Sequence, residues 1–522
     1  MAPKLRDCLL DALKELPGIR TFHIHVLVSS PRKHQALFPF AQPRPRTYIQ
    51  DILILASEQS SQSSPRIFVT AIEATLYHIP STSCAIFYIS KVDTTGQGAL
   101  PSPTSALVKS LLLFHVDPAT RPLPVDHIWV HLFARAQGQY LFPNSSEFTG
   151  KRPLTDVKLC GWWKRILSEV SAQISQTGPD AVIRQFYILP GFSQAEAERS
   201  LKSTSSNSTL WSYGHPYSQT EIPLPCPNDP INLGHCIPYF DDCPKSRFLD
   251  EIAYITDANG VKSPARKRPR ITLHADESHP KESSSADSTD DGTSGRPQGE
   301  LGKVSPDEFW ERMSFRQECV AGAVTGFFTL GVSFPSVKHG ATDTKPSPLA
   351  PSPGQVSGKI NKRIIITLMT GVEFSTIERA IKGTETLENA IRGLCEGLPS
   401  SLSQLVKSNP SDSSSGSSDA PTADRRTPER ELMSLISSST YLAPPRTPPR
   451  RRGATSVSDI SPNPFPEPET SLETYHAHIY GSIFVNKATP VNQNSDVAGD
   501  KGTSTASHVT VLAVRKKKKA GS

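Results

Sequence analysis

The chain has 522 residues, a length that accommodates two or three domains, yet only 36% are hydrophobic and 47 are proline, so a sizeable part of it cannot bury a core. The net charge of +6 is modest, and the basic residues cluster at Ala265–Arg270, Arg446–Arg452 and Arg515–Lys519, a distribution that favours nuclear import or contact with polyanions over a catalytic role for those clusters. The eight cysteines (8, 84, 160, 226, 236, 243, 319 and 395) form no CxxC pair and have no histidine at ligand spacing, which excludes a zinc site and a disulfide scaffold.

Leu5, Leu9, Leu13 and Leu16 predict a first helix ending at Pro17-Gly18. Charge breaks this start too often for a signal peptide, and no run of 18 apolar residues follows anywhere, so the expectation is a reduced, intracellular protein with no membrane contact. Phe22–Val28, Tyr48–Leu55, Ile67–His78 and Ala85–Ser90 are β-branched or aromatic runs of strand length. Ser105–His115 has helical spacing, Ile128–Phe133 reads as a strand, and Val157–Ile174 as a longer helix carrying Trp162-Trp163. Gln185–Leu189 precedes a helix at Ser193–Leu201, and a further helix is expected over Ser246–Tyr254. Strands and helices in this order predict one α/β domain with a mixed central β-sheet surrounded by helices.

Thr256–Val304 is rich in Ser, Asp and Gly and holds the basic run Lys262–Arg270; it reads as a disordered insertion with a nuclear-localisation candidate. Structure is expected to resume at Ser305, where Ser-Pro-Asp-Glu is a capping box, with an apolar stripe at Phe309, Trp310, Met313 and Val320. A second helical segment is expected over about Lys362–Leu398, punctuated by Gly371 and Gly383, and His339–Gly358 reads as a loop. The domain is thus placed at residues 1–398. Residues 399–505 read as a disordered Ser/Pro-rich tail with Thr-Pro and Ser-Pro dipeptides at Thr427, Thr447 and Ser461, and residues 506–522 as a short strand, His508–Val514, running into basic Arg515–Lys519.

The densest chemistry lies in Ile237–Phe248, where Asp241, Asp242, Cys243, Lys245 and Arg247 sit among aromatic residues. Burying such charges costs several kcal/mol unless they are paired, and shifts their pKa values. The bland reading is a helix start, with Asp241 or Asp242 as N-cap and Pro244 near the first turn. Two other stretches match it in kind: Ile86–Gly96, ending Val-Asp-Thr-Thr-Gly, and Gln139–Ser146, followed by Trp162-Trp163.

Taken together with Pro238–Phe248 and Phe309-Trp310, these motifs resemble the fungal histone H3 lysine acetyltransferases of the regulator-of-Ty-transposition family, over residues 20–255, 305–398 and the basic C-terminus. The resemblance implies a CBP-like acetyltransferase fold, acetyl-CoA as cofactor and a nuclear protein. It implies acetylation of histone H3, including a core lysine of newly made H3, in replication-coupled nucleosome assembly and the DNA damage response. It places Val92, Asp93, Thr94, Ala99, Leu100, Pro101, Ser102 and Pro103 on the cofactor wall, continued by Phe133, Arg135, Gln137, Arg152, Pro153, Leu154 and Trp162. A Thr-Thr-Gly turn offers backbone N–H groups to a pyrophosphate, and Arg135 and Arg152 suit phosphates. Trp163 and Tyr140 correspond to the aromatic residues of the substrate-lysine tunnel, and Lys245 to the family's autoacetylated lysine.

Acetylating lysine needs its neutral amine, which at pH 7 costs about 4.6 kcal/mol from a reference pKa of about 10.4. A desolvating aromatic channel, a base, or both can supply it. Asp242 lines up with the first of the family's two acids, and Cys243 stands where the second is expected. Either Asp241 or Asp242 then takes the base role, or the site works by orientation and desolvation alone; Asp242, with Asp93 as a second acid, is the favoured assignment. The partners implied are histone H3–H4 and the NAP-like and anti-silencing-function histone chaperones, whose acidity suits the cationic end, with direct DNA contact as the competing reading. The other class of function is a catalytically weak chromatin and chaperone scaffold, for which the loss of an acid at Cys243 speaks.

Overall fold

In the run Cys84–Thr94, Ala85, Phe87 and Ile89 join one buried cluster while Ile86 and Tyr88 join another. A strand with this period of two is covered on both faces, and the rest of the architecture follows from that. The computed structural model describes residues 3–201, 211–254, 298–316, 324–334, 347–396, 464–468 and 470–487. Ten strands form one mixed sheet: β1 (Gly18–Val28), β2 (Arg32–His34), β3 (Thr47–Gln59), β4 (Ile67–Ile79), β5 (Cys84–Thr94), β6 (His127–Ala134), β7 (Val182–Ile188), β8 (Trp211–Tyr213), β9 (Gly326–Ser333) and β10 (Tyr480–Lys487). Their order is β10-β1-β3-β4-β5-β6-β9-β7-β8, with β2 alongside β3. Among these ten strands of the described residues, β5–β6 and β7–β8 pair in parallel and the other pairs are antiparallel.

Against one face pack α1 (Leu5–Lys14), α2 (Thr104–Val116) and α3 (Asp156–Thr177), through Leu5, Leu9, Leu13, Leu111, Ile166 and Val170. The short helices α4 (Gln194–Ser200) and α5 (Leu233–Cys236) follow β7 and β8. The opposite face is covered by α6 (Pro244–Ala253) and α7 (Pro306–Met313), through Phe248, Leu249, Phe309 and Trp310. A third cluster buries Leu53, Leu55 and Phe68 under α8 (Gly358–Thr370) and α9 (Ile377–Glu396).

The expected elements from α1 to α6 are present in order, with Ser193 capping α4 and the Ser305 hydroxyl accepting the Glu308 N–H at the start of α7. Three expectations are corrected. The helical segment expected over about 362–398 with breaks at Gly371 and Gly383 is two helices: it breaks at Gly371, where the chain turns through Phe374 into the core, but α9 runs unbroken through Gly383. The insertion read to Val304 ends earlier: Gln298 Nε2 donates to the Phe40 carbonyl, and Leu301 and Val304 are buried. The tail read as disordered to 505 contains β10, which pairs with β1 from Gly18↔Lys487 to His25↔Tyr480 and is anchored by hydrogen bonds between Tyr475 and His25 and between Tyr480 and His23. Strand β9, buried at every position between β6 and β7, was not anticipated. Val320, the Lys262–Arg270 run, Thr427, Thr447, Ser461 and His508–Lys519 lie outside the described residues.

Candidate active site

The parallel neighbours β5 and β6 both end at one cavity of about 780 Å³, a volume typical of small-molecule sites. The carboxyl ends of parallel strands are where the chain leaves the sheet and exposes backbone groups to a ligand. A bulge prepares the β5 end: Glu73 pairs with Lys91 and Ala74 with Ile89, so Ser90 is the extra residue, and its hydroxyl donates to the Glu73 carbonyl at 3.0 Å. Such a bulge re-aims the residues after it, here Lys91 to Thr94, all of which line the cavity.

Asp93 organises the wall. One carboxylate oxygen accepts the backbone N–H groups of Tyr140 (2.8 Å), Leu141 (2.8 Å) and Phe142 (3.0 Å). The other accepts the N–H of Thr94 and an ion pair from Lys151 at 2.9 Å, and Lys151 also donates to the Ser145 hydroxyl. Lys151 is buried, which pulls its pKa down while Asp93 opposes the shift. With both oxygens occupied by five donors, Asp93 is a scaffold acid, which corrects its expected place as a second acid in the chemistry. Gly96 is required beside it: its φ is +76°, and a Cβ would lie 2.5 Å from the Lys151 Cα.

The opposite wall rests on an ion pair that no sequence pattern indicated. Arg20 of β1 and Glu58 of β3 are both buried and 3.2 Å apart. Arg20 donates to the carbonyls of Ala99 and Pro101 at 2.8 Å each, and Glu58 accepts the Ala99 N–H at 3.1 Å. Of the residues expected on the cofactor wall, Val92, Asp93, Thr94, Ala99, Leu100, Ser102, Pro103, Phe133, Arg135, Gln137, Arg152, Pro153, Leu154 and Trp162 line the cavity. Pro101 does not; its carbonyl is turned to Arg20, which makes it part of the support. Leu100, 89% exposed, and Leu154, 43% exposed, also line it.

Of the residues expected in chemical roles, Tyr140, Trp163 and Asp242 line the same cavity. Trp162 and Trp163 meet edge to face at 4.6 Å, and Trp162 Nε1 donates to the Ser105 hydroxyl. Burial pushes the Tyr140 hydroxyl up to about 12, so it stays protonated. Asp242 is exposed at the cavity edge and accepts the Tyr88 hydroxyl at 2.8 Å. Its carboxyl is raised above the usual carboxylate range, chiefly by the low-dielectric wall around it, with the Tyr88 hydrogen bond and Lys91 acting against that rise.

The helix start corrects two further expectations. Pro244 occupies the first helical position of α6, which makes Cys243, not an aspartate, the N-cap residue. Cys243 is fully buried, lies outside the cavity lining, and has its thiol pushed up to about 11 by burial; its expected catalytic place is not met. Lys245 is 5% exposed, not a solvated helix-start residue. It lies over the rings of Phe240 (5.6 Å) and Phe327 (5.9 Å), and no carboxylate among the described residues pairs with it. Burial accordingly lowers its pKa.

Lys151, Tyr88, Arg20 and Glu58 are the site residues missed from sequence. Tyr88 alone carried a signal, since it lies inside the Ile86–Gly96 motif at the position that alternation turns toward α6.

The fold is thus a mixed sheet flanked by helices, with a cavity at the ends of two parallel strands and an acid and two aromatic residues on its wall. Residues 124–390, just over half of the chain, match the histone acetyltransferase KAT11-type domain, and the chain belongs to this family.

Among its relatives, the chain is 27% identical over 368 residues to histone acetyltransferase rtt109 of Aspergillus flavus, with 64% of this chain and 58% of that protein covered. It is 25% identical over 326 residues to histone acetyltransferase rtt109 of Schizosaccharomyces pombe, covering 60% and 69%. The chain therefore spans less than two thirds of the Aspergillus flavus protein. The crystal structure of Rtt109 from Aspergillus fumigatus superposes with a TM-score of 0.56 at 24% identity, over 74% of this chain and 95% of that one, and shares the fold.

Proposed function

We propose that the protein is a nuclear acetyl-CoA-dependent histone acetyltransferase acting on lysine of histone H3. The observation that carries the reading is the meeting of Asp242, Trp163 and Tyr140 in one cavity with Arg135 and Arg152, in a chain of the KAT11 family. The cavity suits acetyl-CoA. Neither Arg135 nor Arg152 has a carboxylate partner among the described residues, so both are available to phosphate groups. Gly98, like Gly96, admits close backbone approach, since a Cβ there would lie 2.7 Å from Val69.

Acetyl-CoA, when bound, supplies the thioester whose acetyl carbon the lysine nitrogen takes, with sulfur as leaving group. This chain's residues prepare the amine. Trp163 and Tyr140 strip water from it, which lowers the cost of losing its proton. Asp242 receives that proton, and its raised pKa makes it a better base than an ordinary aspartate. Lys245 fits an autoacetylated residue: it is a buried cation without a counter-ion, and acetylation removes the charge and its desolvation cost. A core lysine of newly made H3 as substrate, presentation by NAP-like or anti-silencing-function chaperones, and a place in replication-coupled assembly and the DNA damage response belong to the same proposal.

The test is incubation of the full chain with labelled acetyl-CoA and H3–H4 bound to a histone chaperone. Label on H3 and on Lys245 is the expected result. Label on neither would leave the catalytically weak scaffold as the better reading.

A further inference from the structure

We infer that the phenol of Tyr88 is a positioning residue for acetyl transfer, holding the Asp242 carboxyl at the cavity wall so that it receives the lysine proton from a fixed place. The inference rests on the reading of Asp242 as the base, and adds a residue that lies behind the cavity lining.

The geometry comes from three elements. Tyr88 lies on β5, two residues before the bulge at Ser90, and alternation turns it toward α6 and away from α2. Its ring lies parallel to that of Phe240, with centroids 3.9 Å apart and planes 2° from coplanar. Phe240 is itself fixed: its N–H donates to the Ser246 hydroxyl at 2.8 Å, and the rings of Tyr77 and His131 lie 5.9 Å away on either count. The phenol oxygen therefore has one position, 2.8 Å from Asp242 Oδ1.

Asp242 needs such a holder. It is exposed, it does not cap α6, and among the described residues no lysine or arginine forms an ion pair with it. Tyr88 is the one side chain among the described residues that hydrogen-bonds it. Besides Tyr88, the charged and titratable groups facing it are Lys91 on β5, Glu73 and Tyr77 on β4, and the adjacent Cys243. Lys91 is engaged by Glu73, so its charge is largely answered. Cys243 is buried outside the cavity. Burial first, then Cys243 and Asp242, keep the Tyr88 hydroxyl protonated far above neutrality, so it donates to Asp242 and transfers no proton itself. The proton lost by the amine goes to Asp242.

A donor to a carboxylate favours the ionised form. Removing it lets Asp242 keep its proton to higher pH, so the acid limb of the rate profile moves up. The experiment uses the full chain with H3–H4 and acetyl-CoA, measuring kcat and both KM values across about pH 5 to 9. Tyr88→Phe keeps the stacked ring and removes only the hydroxyl. The expected result is an acid limb raised by about one unit and kcat lowered about ten-fold, with the KM for acetyl-CoA unchanged. An unmoved limb with unchanged kcat would overturn the inference. Asp242→Asn separates the two readings. If it retains full turnover, Asp242 is not the base and the underlying reading falls. If it loses turnover while Tyr88→Phe loses none, only the positioning role falls. The double variant is a further check: losses no greater than those of Asp242→Asn alone are expected, and additive losses would place Tyr88 in a separate structural role.

Discussion

Two parts of the site treat charge in opposite ways. Around the turn after β5, Asp93 is met by Lys151 and four backbone N–H groups, and Glu58 by Arg20 and a fifth. At the start of α6, Asp242 has one phenol, and Lys245 has aromatic rings and no carboxylate among the described residues. A buried charge with every hydrogen bond made is rigid and chemically quiet, whereas one left short of partners has a displaced pKa and answers to small changes. One cavity thus brings together a fixed acid, Asp93, and a responsive one, Asp242.

The comparison breaks most sharply at Asp93. Asp93→Asn leaves the Lys151 cation without its partner and sets an amide against several donors; loss of about 3 to 5 kcal/mol of unfolding free energy is expected, read by urea denaturation. A change under about 1 kcal/mol would mean that the cradle is not held by charge.

What was legible beforehand divides along similar lines. Strands β1, β3, β4 and β5 were readable because β-branched and aromatic runs of strand length also set their burial. Strand β9 escaped because both of its faces are buried, so Gly326–Ser333 shows no alternation. Strand β10 escaped because its hold on the sheet is a pairing with β1, some 460 positions earlier in the chain, and its flanks are low in complexity. At the site, residues within the contiguous motifs were found, while Arg20 and Glu58 were not. They sit singly on separate strands, and only the register of β1 against β3 brings them together. The role expected of Cys243 failed for a local reason: Pro244 fixes the helix start and turns the thiol into the core.

Glu58→Gln is the next largest break. It keeps a hydrogen-bonding side chain but leaves Arg20 a buried cation answered only by carbonyls, so the Ala99–Pro101 wall loosens. Destabilisation of about 2 to 3 kcal/mol is expected, with the KM for acetyl-CoA raised several-fold and kcat little changed. A fall in kcat at unchanged KM would place Glu58 at the chemical end instead.

The smallest effect sharpens the comparison at the start of α6. His131 is buried beside Phe240, and burial first, then Lys245, holds its pKa well below 6.5. The unfolded chain therefore binds a proton there that the folded chain refuses. Stability from this group is complete about one pH unit above 6.5 and declines as the pH falls; from pH 7 to pH 6 the loss is about 0.7 kcal/mol. Thermal unfolding at pH 7 and pH 6 reads it, as the part of the difference that His131→Gln removes. A slope unaltered by that substitution would mean that His131 is charged in the folded state.

The most direct test of the account is the rate of label transfer from acetyl-CoA to chaperone-bound H3–H4 by Asp242→Asn and Cys243→Ser, each against the unaltered chain. Turnover lowered about 100-fold or more by Asp242→Asn, and no more than a few-fold by Cys243→Ser, is the predicted result. Equal losses in the two variants would contradict it and place the base elsewhere in the channel.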